Sequence, residues 1–140
     1  MTEPFYIPYD EIKEGDQARH RSLISEDIVT RFSALIGDTD SFHVSDEAAE
    51  MTVFKKRIAH GIHIATFIST LVGQELPGFG TIYCSQTFEF HKPVYLDEVI
   101  ETEVTVLKKL PHHRLRMSTI VRDAFGDVIL EGIAVVKTYR

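Results

Sequence analysis

Tryptophan is absent, cysteine occurs once, and no stretch is both apolar throughout and long enough to span a bilayer. The lone Cys84 has no intramolecular partner, so a disulfide-stapled fold is excluded and a cytoplasmic location is expected. No base stands beside Cys84 in sequence, and it reads as a packing residue rather than a nucleophile. An excess of positive charge is also missing. The chain has 15 Lys and Arg against 21 Asp and Glu, a net charge of −6, and a pI near 5.6. Nucleic acid and anionic membrane surfaces are therefore not expected as partners. Lys55-Lys56-Arg57 is a local basic cluster, readable as a solvated surface or as a contact for a phosphate-bearing carrier. Residues 1–9 carry acidic and proline residues and no basic segment followed by an apolar one, so no export signal is expected. Repeats, low-complexity runs and extended linkers are lacking too. At 15.9 kDa, residues 1–140 fit one domain with a sizeable core.

What is present is ordered, with helical patterns first and strand patterns second. Ser25 is a candidate N-cap for a helix over residues 26–36, in which Val29, Phe32, Leu35 and Ile36 are spaced for burial. A shorter helix is predicted over residues 45–51. Residues 62–72, bracketed by Gly61 and Gly73, are apolar on nearly all sides. A helix of about 12 residues spans ~18 Å, too short for a membrane, so this one belongs in a core. Its polar exceptions, His63, Thr66, Ser69 and Thr70, recur at three- and four-residue intervals, and their hydroxyls are able to bond to carbonyls one turn back. Beyond a loop at 77–80, strands are predicted over 81–90, 98–108, 114–123 and 128–138, with an edge strand within 12–23. A turn at Phe125-Gly126-Asp127 and a break at residues 110–113 make the pairing antiparallel. Glu101 and Glu103 alternate with Ile100, Thr102 and Val104, so one sheet face should be wet and the other buried.

The candidate chemistry lies in Gly37-Asp38-Thr39-Asp40-Ser41-Phe42-His43 and in Ala59-His60-Gly61 at the head of the apolar helix. On a continuous helix, a five-residue spacing would put Asp38 and His43 roughly 140° apart. The intervening residues are turn and cap formers, and a bend brings both side chains to one point. An Asp and a His, with reference pKa values near ~3.9 and ~6.5, cover both directions of proton transfer around neutral pH. Also open from spacing alone is that Asp38 caps the following helix and His43 packs beside it. The Gly61 N–H, at a helix N-terminus, is a candidate donor to a developing oxyanion, and glycine permits close approach of a ligand.

The motif from Gly37 to His43 resembles the G-D-x-N-P-[LIV]-H signature of the MaoC-like, (R)-specific enoyl-CoA hydratases. Ile58-Ala59-His60-Gly61-Ile62 resembles that family's I-[VA]-H-G-M. The likeness extends through residues 71–78 and 88–94, and covers nearly the whole chain from about residue 10. Asp40 stands where the family has Asn, Ser41 where it has Pro, Phe42 where it has a smaller aliphatic residue, and His63 where an aliphatic residue is expected. The resemblance implies an α+β hot-dog fold, a curved antiparallel sheet wrapped around a long central helix. It implies a lyase that reversibly hydrates trans-2-enoyl thioesters of coenzyme A or acyl carrier protein, without a metal or separate cofactor, as a homodimer or larger homo-oligomer. Asp38 and His43 would hold the attacking water, and Gly61 would receive the thioester oxygen. Ser69 would support Asp38 by a hydrogen bond, and His60 would be structural. His63 would either line the pocket or replace an aliphatic packer. Rival readings are a hot-dog thioesterase, a metal enzyme using His43, His60 and His63 with Asp38, and a non-catalytic acyl-CoA-binding module.

Overall fold

The computed structural model describes residues 3–39 and 41–139. Asp40, where the resemblance has Asn, lies outside the described residues. Three α-helices precede most of the sheet: α1 (Glu26–Ile36), α2 (Asp46–Glu50) and α3 (Gly61–Gln74). The Ser25 and Ser45 hydroxyls accept hydrogen bonds from the Ile28 and Ala48 N–H groups and so begin α1 and α2. Because Ser45 caps α2, Asp38 is released from the capping role open to it from sequence.

Six strands form one antiparallel sheet: β1 (Gln17–Ile24), β2 (Ile82–Gln86), β3 (Glu89–Phe90), β4 (Glu98–Leu110), β5 (Arg114–Asp123) and β6 (Val128–Lys137). Their order is β1-β4-β5-β6-β2, with β3 also paired to β6. Asp123 Oδ1 accepts from the Phe125 and Asp127 N–H groups at 2.9 and 3.0 Å, which folds the β5–β6 turn at Gly126. Ile64, Ile68, Leu71 and Val72 of α3 share a core with Ile100, Val104, Met117 and Leu130 of the sheet. A helix packed on an antiparallel sheet is the α+β hot-dog arrangement.

Four local expectations differ from the structure. α1 buries Val29 and Ser33 but leaves Leu35 83% and Ile36 52% exposed, since nothing among the described residues packs over its last turn. α3 buries one face only, and Ile62, Thr66, Ser69 and Thr70 lie open. Cys84 is exposed rather than packed, because β2 is an outer strand whose register shifts at that residue. The outer sheet face is not uniformly wet either. Glu103 is buried between Arg19 and Arg122, at 2.8 and 3.4 Å.

Candidate active site

Gly37 ends α1 in the left-handed region, with φ +80°, where glycine avoids the strain that a Cβ would meet. Its N–H bonds to the Ala34 carbonyl at 3.2 Å, and the Asp38 N–H reaches the Ser33 carbonyl at 2.9 Å. The Schellman-type stop turns Asp38 out of the helix. A tight turn follows, in which the Ser41 hydroxyl accepts from the His43 N–H at 3.2 Å. The hydroxyl of Ser41 also donates to the Asp38 carboxylate. Proline, the family residue at that position, has no hydroxyl to do either.

The segment before α3 fixes His43 from two sides. The His43 Nδ1–H donates to the Ile58 carbonyl at 2.7 Å, which requires the proton on Nδ1 and leaves Nε2 as the free ring nitrogen. The His43 carbonyl accepts from Arg57 Nε at 2.8 Å, while Arg57 Nη1 pairs with Glu26 at 2.7 Å and Nη2 donates to Thr30 at 3.3 Å. Arg57 is 6% exposed. It is therefore a strut between α1 and the His43 turn, and it also lines a surface depression together with Lys55 and Lys56.

Asp38 and His43 converge. Together with His60, they place side-chain nitrogen or oxygen atoms within 4.8 Å of one another. The nearest partner of Asp38 is His60, whose Nε2–H donates to Oδ2 at 2.6 Å. The His60 ring stacks on His43 with centroids 3.7 Å apart. The His60 hydrogen bond is the main cause holding the Asp38 carboxyl below its ordinary value; partial burial opposes it, and Ser41 reinforces it. Burial is the main cause lowering His43, opposed by its bond to Ile58 and aided by His60.

Gly61 opens α3. The cap residue, His60, makes no side-chain hydrogen bond to the helix, so the positive end of α3 is not spent on its own cap. A Cβ at Gly61 would lie 3.0 Å from the Phe90 ring, so only glycine fits without moving that ring. Gly61, Phe54, Ile58, Ile64, Phe90 and Leu130 line part of an open depression of about 300 Å³ that also includes Lys92.

Two candidates stand apart: Ser69, carried over from the resemblance, and His63, a departure from it. Ser69 is exposed on α3, and the side chains bonded to Asp38 among the described residues are His60 and Ser41. His63 is 7% exposed and lies flat on Phe32, with centroids 4.1 Å apart and planes 4° from parallel. That is a packing position, outside the cluster of Asp38, His43 and His60. It removes His63 from the ligand set of the metal reading, whose other three members, Asp38, His43 and His60, do lie together. Sequence reasoning missed the parts played by His60 and Arg57. The one signal for His60 was an imidazole at a cap position that Ser, Thr, Asp or Asn would ordinarily hold.

Residues 10–124 match the MaoC-like domain family. The (R)-specific enoyl-CoA hydratase of Rhodospirillum rubrum is 38% identical over 128 residues, covering 91% of this chain and 89% of that protein. The unliganded R-hydratase PhaJ1 of Pseudomonas aeruginosa superimposes with a TM-score of 0.90 at 39% identity, over 95% of this chain and 86% of that one. The (R)-hydratase from A. caviae gives 0.87 at 31% identity, over 91% and 97%. By sequence, by backbone and by the motif that carries Asp38 and His43, the chain belongs to the MaoC-like domain family.

Proposed function

We propose that this chain is an (R)-specific enoyl-CoA hydratase, a hydro-lyase that adds water reversibly across trans-2-enoyl thioesters. The observation that carries the reading is the convergence of Asp38 and His43 in one cluster, in a chain 38% identical to an enzyme of that name. The proton arithmetic follows from the site. Asp38, held low, is a carboxylate with no proton to give. His43, also lowered and with its Nδ1–H spent on Ile58, presents Nε2 as a lone pair. The proton that ends on C2 must then come from the water itself. His43, whose ordinary pKa is the higher of the two and whose Nε2 is unprotonated, takes it. As the water oxygen bonds to C3, the alkene electrons move toward the thioester oxygen, where the Gly61 N–H supplies a donor. His43 Nε2–H next returns the proton to C2, while Asp38 accepts the second O–H of the water and holds its orientation. A single imidazole working from one side delivers both additions to the same face. Dehydration is the same sequence reversed.

No metal or separate cofactor enters these steps. The substrate class is an acyl thioester of coenzyme A or acyl carrier protein. A homodimer is supported by the open outer edge of β2. No helix among the described residues is long and apolar enough to cross a membrane, and the free thiol of Cys84 suits the cytoplasm. Incubation with crotonyl-CoA, following enoyl absorbance and free thiol together, tests the reading. Loss of enoyl absorbance without thiol release is expected, undiminished by a strong chelator. Thiol release would identify a thioesterase instead, and binding without conversion a non-catalytic module.

A further inference from the structure

We infer that His60 is the positioning residue of this site, holding the Asp38 carboxylate and the His43 ring in register with the Gly61 amide; this rests on the hydratase reading above. Three contacts meet in that one residue. Its Nε2–H donates to Asp38 Oδ2 at 2.6 Å, its ring stacks on His43 at 3.7 Å, and its carbonyl accepts from the Ile64 N–H at 3.2 Å in the first turn of α3. As the cap of α3 it is also joined directly to Gly61. The ring is 9% exposed and braced edge-on by Phe32 at 5.3 Å, so it has little freedom to turn.

The buried Nδ1 has no hydrogen-bond partner among the described residues, which leaves the Asp38 bond as the one polar contact that orients the ring. His63, which packs on Phe32, also leaves a buried Nδ1 unpaired, so what sets His60 apart is the bond that its other nitrogen makes to the carboxylate. Held through Oδ2 by His60, with Ser41 as a further donor, the carboxylate is oriented for its contact with the water. Loss of the clamp would let the carboxylate rotate, and a misdirected partner to the general base lowers turnover more than affinity.

The test compares wild type, His60→Phe and His60→Gln on crotonyl-CoA. Phenylalanine keeps the ring but removes the donor; glutamine places an amide N–H near the position of Nε2. His60→Phe is expected to lose about ten- to a hundredfold in kcat with KM within about threefold of wild type, and His60→Gln to regain most of the loss. Equal kcat in His60→Phe and wild type would overturn the inference, as would a failure of glutamine to exceed phenylalanine with both variants folded. The imidazole nitrogen NMR spectrum of the wild type is a second measurement that needs no folded variant. The proton is expected on His60 Nε2; an Nδ1–H tautomer would overturn the assignment. A wild type that folds but does not hydrate crotonyl-CoA would overturn the functional reading, and the spectrum would still decide the His60–Asp38 bond.

Discussion

His63 sits two residues beyond Gly61, yet its ring lies on Phe32 and its buried Nδ1 has no partner among the described residues. Burial, and after it the charge of His60, lowers the His63 pKa; burial likewise lowers that of His43. Both imidazoles resist protons in the folded state but bind them near ~6.5 when unfolded. The unfolded chain thus binds more protons below that value, and stability falls as pH drops through it. His63→Leu, which restores the family's aliphatic character, removes one of these groups and an unpaired polar atom. Thermal unfolding should show a variant more stable by about 1 kcal/mol, with a shallower loss of Tm below about pH 6.5. A less stable variant with an unchanged acid slope would mean that the Phe32 stack outweighs the unpaired nitrogen. Asp38, His43 and Gly61 were legible as candidates because each departs from what its neighbourhood needs for folding alone. Arg57 was hidden by its setting, since a basic run gives no sign that one of its members is buried on Glu26 and His43.

Among the elements, the caps were the most readable parts of the chain, because Ser25 and Ser45 satisfy donors that every helix leaves over. The strands followed from alternation and from the turn at Gly126. Which face of α1 and α3 stays open was not readable, because hydropathy marks a face fit for burial and not the element that covers it. Leu35, Ile36 and Ile62 illustrate this. Two glycines separate shape from propensity. Gly37 has φ +80° and aims Asp38. Gly37→Ala should therefore destabilise by about 1–2 kcal/mol and lower turnover. Gly73 lies inside α3, and a Cβ added there would meet nothing within 4 Å. Gly73→Ala should stabilise by up to about 1 kcal/mol without changing kcat. Denaturant unfolding alongside kinetics checks both signs, and a Gly37→Ala variant with native stability would remove the role of that cap.

At the scale of the whole molecule, the sheet ends in β1 on one side and β2 on the other, and residues 82–85 of β2 are exposed. A second copy paired on that edge would cover it and extend the sheet. Light scattering should therefore give a mass near twice 15.9 kDa, with slow amide exchange along β2. A catalytically active species of 15.9 kDa would exclude that assembly. The fold and the family are secured by residues spread across the chain, whereas the proposed chemistry rests on two side chains. The most direct test compares wild type with Asp38→Asn and His43→Gln on crotonyl-CoA, with Tm measured on the same samples. We expect each substitution to lower kcat by roughly 10²-fold or more while the protein stays folded. Near-normal turnover in both folded variants would contradict hydration by Asp38 and His43.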